Sequence, residues 1–303
     1  MPHLFRAIVL IACLIITACN NNPTREPSSI LPKLQPKLLP KIALVLGGGA
    51  ARGFSHVGII KALEAQGIIP DMVVGTSAGA VVGVLYAAGI TGFDLQKIAL
   101  QLDESVVADW AFPDRGIIKG EALENFINKT LNNRPIERLP KSFAAVATDL
   151  QTGEGVVFRI GNAGKAVLAS SSVPGIFQPV VINGHEYVDG GLVAPVPVRI
   201  ARSLGADFVI AVDVSAQPKF GKTQSTVEIL LQTFTIMAQS ISRFELREAD
   251  IIIRPFMREI KSTDFAGKHL AILEGERAVA AILPDLRAKL ARLKTPDSNK
   301  ITK

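Results

Sequence analysis

Two continuous apolar runs, each ending in a glycine turn and each followed by a helix, constrain this chain more than any other feature. Lys41-Ile42-Ala43-Leu44-Val45-Leu46 reads as a buried strand, because after its first residue nothing polar interrupts it. It meets Gly47-Gly48-Gly49-Ala50-Ala51-Arg52-Gly53, then a helix whose apolar face uses Val57, Ile60 and Leu63. The second run, Pro70-Asp71-Met72-Val73-Val74, leads into Gly75-Thr76-Ser77-Ala78-Gly79. Ala80 to Ala88 follows, apolar on every side and so a buried helix. Strand, crossover helix and strand within about 35 residues form a βαβ unit, which requires a parallel sheet with helices on its faces. The expected fold is α/β: a three-layer α/β/α sandwich around a mainly parallel central sheet.

Further helices are expected from Phe93 to about Asp103 and from Gly120 to about Leu131. Ser142–Leu150 and Gly155–Ile160 read as strands joined by a turn at Gln151-Thr152-Gly153-Glu154. Asp207–Val214 is another buried strand, Thr226–Glu248 a long helix and Asp250–Arg254 a late strand. Leu270–Leu293 is helical with a break or kink at Pro284. The folded domain is placed at 42–293, with its motif-bearing core at about 42–215 and a polar tail at 294–303.

Ser77 sits on a sharp strand-to-helix turn, where a hydroxyl is pushed out at the end of the sheet. Gly75 and Gly79 remove the Cβ atoms that would block the turn, with Thr76 and Ala78 completing the elbow. A catalytic nucleophile and a glycine-rich packing turn both fit this pattern. The earlier glycine loop has three readings. A dinucleotide fingerprint needs G-x-G-x-x-G, but counting from Gly47 puts Arg52 in the last glycine slot, and counting from Gly48 puts Ala50 in the middle one. A P-loop needs Lys where Phe54 stands. The third reading is an oxyanion hole of backbone amides from Gly48, Gly49, Ala50 and Arg52 at a helix N-terminus. Both glycine turns follow strands of one parallel sheet, so both lie at its carboxyl edge, where ligands bind. That adjacency favours the oxyanion hole.

A serine nucleophile needs a base. Beyond the first residues the chain offers only His56, His185 and His269. The hydrolase order Ser–Asp–His would require His269, which stands in an undistinguished polar stretch. His56 opens the first helix, a common place for a capping or packing residue. Tyr187-Val188-Asp189-Gly190-Gly191 ends a β-type segment with an acid on a Gly-Gly turn, which fits either a catalytic acid or a plain tight turn. The apolar surroundings of Ser77 suit an acyl chain better than a peptide. No cofactor or metal is called for.

Taken together, these residues resemble the patatin-like phospholipase family, and 44–87 looks especially like its bacterial, neuropathy-target-esterase-like branch. The matching elements are the loop 47–53, the pentapeptide 75–79 and Asp189-Gly190-Gly191. Lesser matches are Ala147-Thr148-Asp149-Leu150 with Thr152-Gly153-Glu154, and Ser171-Ser172-Val173-Pro174-Gly175-Ile176-Phe177. The resemblance implies a Ser–Asp dyad without histidine: Ser77 attacks an acyl ester and Asp189 takes its proton. The amides around Gly48 and Gly49 would bind the oxyanion, with Arg52 supporting the loop. This chain departs from the pattern at Ala50, where relatives carry glycine, and at Ala194, where they often carry a polar residue. An unperturbed carboxylate near pKa 3.9 is a feeble base for serine. The dyad therefore requires Asp189 to be desolvated and hydrogen-bonded to Ser77.

Both cysteines fall in the first nineteen residues, which leaves the folded body without disulfides or thiol chemistry. Arg6 precedes an apolar run from Ala7 to Ala18, too short to span a bilayer but suited to a signal peptide at 1–18. The run closes as Ile16-Thr17-Ala18-Cys19, which resembles the bacterial lipobox and implies a lipidated Cys19. Five prolines between 20 and 41 make 19–41 an extended tether, roughly 60 Å at ~3 Å per residue. The net charge of +6 fits either a plain solvated basic surface or attraction to anionic lipid head groups, while one Trp, two Tyr and no basic–aromatic cluster argue against nucleic acid. The expected function is a membrane-tethered acyl-ester hydrolase of phospholipids or lysophospholipids, in the bacterial cell envelope and facing away from the cytoplasm. The rivals are a general carboxylesterase or thioesterase, and a non-catalytic lipid-binding lipoprotein.

Overall fold

The computed structural model describes residues 40–102, 120–216, 218, 225–258, 260–261 and 263–294. The expected signal peptide, Cys19, all but the last residues of the tether and the polar tail beyond 294 lie outside these residues.

Strand β1 (Ile42–Leu46) runs at the centre, parallel to β2 (Met72–Thr76) on one side and β7 (Phe208–Val212) on the other. β8 (Ile251–Ile253) extends the parallel sheet beyond β7, and β3 (Ser142–Asp149) extends it beyond β2. Three strands then run antiparallel. β4 (Gly155–Phe158) and β6 (His185–Asp189) both pair with β3, and β5 (Val180–Ile182) pairs with β6. The expected mainly parallel α/β sandwich is the one observed.

Alternation along the strands divides the core in two. Leu44, Leu46 and Val73 face one helical layer, and Ala43, Val45 and Val74 face the other. The first layer holds α1 (Phe54–Ala65), α2 (Ala78–Ala87), α3 (Gly92–Gln101), α4 (Glu121–Thr130), α5 (Ala163–Ser171) and α8 (Lys268–Lys294). The second contains α6 (Val198–Ser203) and the turn that closes α7 (Thr226–Glu245). α1 and α2 are buried almost all round, as their unbroken apolar sequences require. α8 crosses α1 where Gly275 meets the Ser55 carbonyl and Gly58 meets that of Ile272, contacts that leave no room for a Cβ.

Of the break or kink expected at Pro284, the break is absent. α8 runs through it uninterrupted, with Ala271, Ile272, Val279 and Leu286 buried on both sides of the proline. Burial along that face outweighs one lost helical hydrogen bond.

Candidate active site

β2 is wholly buried and ends at Thr76, so the chain must turn sharply at Ser77 to enter α2. Ser77 takes φ 55 and ψ −125, a backbone conformation that costs a residue with a side chain of order 1–3 kcal/mol. Close packing holds it there. A Cβ on Gly79 would collide with the Leu46 carbonyl, and one on Gly75 with the backbone of Gly79 and Ala80. The Ser77 amide donates to Ser170 Oγ (3.0 Å), which in turn donates to Val146 O (2.6 Å). Thr76 Oγ1 donates to Ala194 O (2.8 Å), tying the strand end to the segment after the Asp-Gly-Gly turn. Ser170 escaped the sequence reading. Its only signal was a run of three serines closing α5.

Strand register brings Asp189 to Ser77. On β3, Val146 pairs with Thr76 and the next residue, Ala147, pairs with Asp189. β4 occupies the opposite edge of β3 at these positions. β2 and β6 therefore meet end to end along one edge, and their terminal residues are neighbours. Gly190 is necessary at this junction: a Cβ there would strike the Val146 carbonyl and approach Thr76 Cγ2 to 3.2 Å.

Asp189 is only 7% exposed as a residue. Its Oδ1 accepts the Gly191 amide at 2.7 Å. Its Oδ2 is buried without a hydrogen bond of full geometry, and the Ser77 hydroxyl faces the carboxylate at looser range. Burial pushes the pKa up from 3.8 to about 6, against the opposing pull of Ser77 and the Gly191 amide. Resting hydrogen bonds between a nucleophile and its base are often loose, tightening only when substrate binds.

The glycine loop departs from the expected donor set in two places. The Gly48 amide is taken by Pro195 O (2.9 Å) and the Arg52 amide by Gly49 O (3.1 Å), so neither is free to meet an oxyanion. The role of Gly48 is steric: a Cβ there would lie 3.2 Å from Ser77 Cβ and 3.9 Å from its Oγ. The Arg52 guanidinium donates to Ile260 O (2.9 Å) and Ser215 O (3.0 Å), bracing the loop from behind. Among the described residues, the amides of Gly49 and Ala50 take no acceptor, nor does the Ala78 amide at the α2 N-terminus. These first-turn donors carry the positive end of a helix dipole. Ala50 has φ 49, the left-handed region in which a Cβ costs about 1–2 kcal/mol.

No described histidine is hydrogen-bonded to Ser77 or Asp189. His56 is fully buried and its Nε2 donates to Gly47 O (2.8 Å), which fixes the start of the loop. Burial depresses its pKa to about 4, so the ring is neutral at pH 7. His185 is exposed and pairs through Nδ1 with Asp149 Oδ2 (3.0 Å), while His269 sits exposed in the first turn of α8. Among the described residues, no cluster of His, Cys, Asp or Glu could hold a metal ion.

Beside the elbow lies an apolar pocket, open on one side. Ala50, Gly53 and Ala78 form its wall nearest the serine, and Leu85, Leu95, Ile98 and Phe126 its far side. Its walls come from the Ala50–Gly53 turn and α1 to α4, so the cavity begins at the residue after Ser77 and runs between helices.

The model of the patatin-like phospholipases matches residues 44–202. Patatin-like phospholipase domain-containing protein 6 of Mus musculus is 37% identical over 184 residues, which cover 58% of this chain and 14% of that protein. An uncharacterized NTE family protein of Mycobacterium tuberculosis is 35% identical over 184 residues, covering 58% of this chain and 49% of its own length. The chain thus spans half or less of these relatives. Among solved structures, VipD from Legionella pneumophila aligns with TM-score 0.50 and 18% identity, over 82% of this chain and 67% of that one. A chain of the complex between full-length SpcU and full-length ExoU of Pseudomonas aeruginosa gives TM-score 0.50 and 15% identity, over 83% and 53%. Both share the fold. The chain belongs to the patatin-like phospholipase family.

Proposed function

We propose that this family member is a serine acyl-ester hydrolase of phospholipids or lysophospholipids, with Ser77 as nucleophile and Asp189 as its base. The observation that carries the reading is the buried Asp189 carboxylate, its pKa raised to about 6, facing the hydroxyl of a serine held on a strained elbow. Desolvation makes Asp189 a stronger base than an exposed carboxylate while leaving it ionised at pH 7.

Ser77 Oγ attacks the ester carbonyl carbon as its proton passes to Asp189 Oδ2. The developing oxyanion meets the free amides of Gly49 and Ala50, with Ala78 at the helix terminus. Collapse expels the alcohol, which takes the proton back from Asp189. Water, deprotonated by the same carboxylate, then releases the acid from the acyl-serine. The apolar pocket beside Ala78 supports an acyl chain as the bound portion of the substrate.

The Ile16-Thr17-Ala18-Cys19 motif extends the proposal to a lipoprotein, tethered through Cys19 to the cell envelope and facing away from the cytoplasm. Metabolic labelling with a palmitate analogue, lost in Cys19→Ala, tests that part. The enzyme is tested with a fluorophosphonate probe and a panel of labelled phospholipids, lysophospholipids, simple esters and thioesters. Labelling and lipid hydrolysis should both vanish in folded Ser77→Ala. Labelling that persists removes Ser77 from the mechanism, and turnover confined to simple esters or thioesters removes the phospholipid assignment.

A further inference from the structure

α7 is twenty residues long, about 30 Å at 1.5 Å per residue, yet the strand it leads to, β8, has three residues and spans about 10 Å. Its C-terminal end is the packed end: Ser242 and Glu245 are buried there, and Leu246 follows. From Thr226 to Ile241 no described side chain is buried. β7 and β8 are parallel, so the excess length of α7 projects past the carboxyl edge of the sheet, the edge that holds Ser77. There it touches the Gly190–Leu192 turn that follows Asp189.

The projecting segment is apolar on its outer side. Ile229, Leu230, Ile236 and Met237 are each about half exposed, and Phe244, at the packed end, continues the stripe with similar exposure. With 3.6 residues per turn they fall, together with Thr233 and Ser240, within about 120° of the helix circumference. The inner face carries Leu231, Phe234, Ala238 and Ile241, and no charged residue occurs between Glu228 and Arg243. At the packed end of α7 Arg247 lies over the Phe244 ring (5.0 Å), and in the segment after β8 Arg258 lies over the exposed Phe256 (5.7 Å). No helix among the described residues is long and apolar enough to cross a membrane. An apolar stripe edged by arginine–aromatic pairs is instead the pattern of a helix lying in a lipid–water interface.

We infer that the outer face of α7 is a membrane-docking surface, which seats the carboxyl edge of the sheet on a phospholipid bilayer and delivers lipid to Ser77. The inference rests on the lipid-hydrolase reading for its purpose, but not for its test. A bilayer is favoured over a second protein because the stripe borders the catalytic turn, and Arg247 on Phe244 at the end of the stripe and Arg258 on the exposed Phe256 after β8 are cationic groups suited to anionic head groups.

The test uses the full chain carrying Cys19→Ala, so that no acyl anchor contributes, and vesicles of phosphatidylcholine and phosphatidylglycerol in a 3:1 ratio. Ile236→Glu combined with Met237→Gln alters exposed positions outside the catalytic machinery. In flotation assays the double variant should bind vesicles at least about tenfold more weakly, since apolar area and charge both act on partition. Hydrolysis of vesicle lipid should fall in step, while a water-soluble short-chain ester is cleaved at an unchanged rate. Unchanged vesicle binding would overturn the inference. So would a wild-type dimer in sedimentation equilibrium that the double variant dissolves while vesicle binding persists, because the occupant would then be a second copy. If no variant cleaves any ester but vesicle binding still depends on α7, the docking surface stands and the hydrolase reading falls.

Discussion

Replacing Asp189 by asparagine keeps the shape of the side chain and removes its charge, which exposes what the buried carboxylate costs the fold. Burial moves its pKa from 3.8 to about 6. At ~1.4 kcal/mol per unit, the ionised form burdens the folded state by about 3 kcal/mol well above pH 6. The folded pKa lies above the unfolded one, so the unfolded chain ionises first as pH rises. Wild-type stability therefore falls between about pH 4 and pH 6 and stays at the lower level above that. Asparagine has no such dependence. The variant's advantage in unfolding free energy should be about 1–2 kcal/mol at pH 5 and about 3 kcal/mol at pH 8. Urea unfolding of both proteins at the two pH values measures it, with ester hydrolysis assayed in parallel. The rate should drop by roughly 10² to 10⁴, the usual worth of a positioned base. A variant less stable than wild type at pH 8, or an advantage that does not grow with pH, would refute the claim that Asp189 is desolvated and ionised.

The same carboxylate sets the pH profile: kcat/KM should rise with pH through an apparent pKa near 6, and a profile flat from pH 5 to 8 would exclude Asp189 as the base. Gly48→Ala places a Cβ 3.2 Å from Ser77 Cβ, so kcat should fall roughly tenfold in a normally folded protein, as small displacements of a nucleophile do. His185→Ala and His269→Ala should each keep activity within about threefold, because both rings are exposed and neither bonds to the dyad; a loss as deep as that of Asp189→Asn would mean a histidine base. Ala50→Gly relieves a left-handed alanine at some cost in chain entropy, for a net gain of about 0.5 kcal/mol in urea unfolding, and a clear loss would show that φ 49 is unstrained there.

The parallel heart of the sheet was legible because its strands are unbroken apolar runs between glycines, a pattern that admits few other folds. Ser77, Asp189 and the glycine loop were legible as turns at strand ends. Whether they meet was not, because that depends on β3 aligning Val146 with Thr76 and Ala147 with Asp189. α5 went unread, since Ala163–Ser171 is built from small residues without a clear apolar period; its Asn162 cap and its packing on β3 define it. Which amides of the loop stay free was equally hidden. The Gly48 donor is consumed by Pro195, a carbonyl supplied from the far side of the Asp-Gly-Gly turn.

The rival reading, a lipid-binding protein that has lost its chemistry, is weakened by where this fold accepts instability. Ser77 holds a strained backbone at about 1–3 kcal/mol, Ala50 a left-handed one at about 1–2 kcal/mol, and ionised Asp189 adds about 3 kcal/mol at neutral pH. Against a total stability of about 5–15 kcal/mol, these are large sums at one end of one sheet. Each has an inexpensive remedy: glycine at 50 or 77, asparagine at 189. A protein that only binds lipid would gain stability from every one of these exchanges and lose at most the Ala50 methyl from the pocket wall, since neither the apolar pocket nor the α7 stripe uses Ser77 or Asp189. A hydrolase would lose its nucleophile or its base with two of them. The retained cost at Ser77 and Asp189 therefore argues for chemistry at this edge, and the stability gain measured for Asp189→Asn is the direct size of that argument.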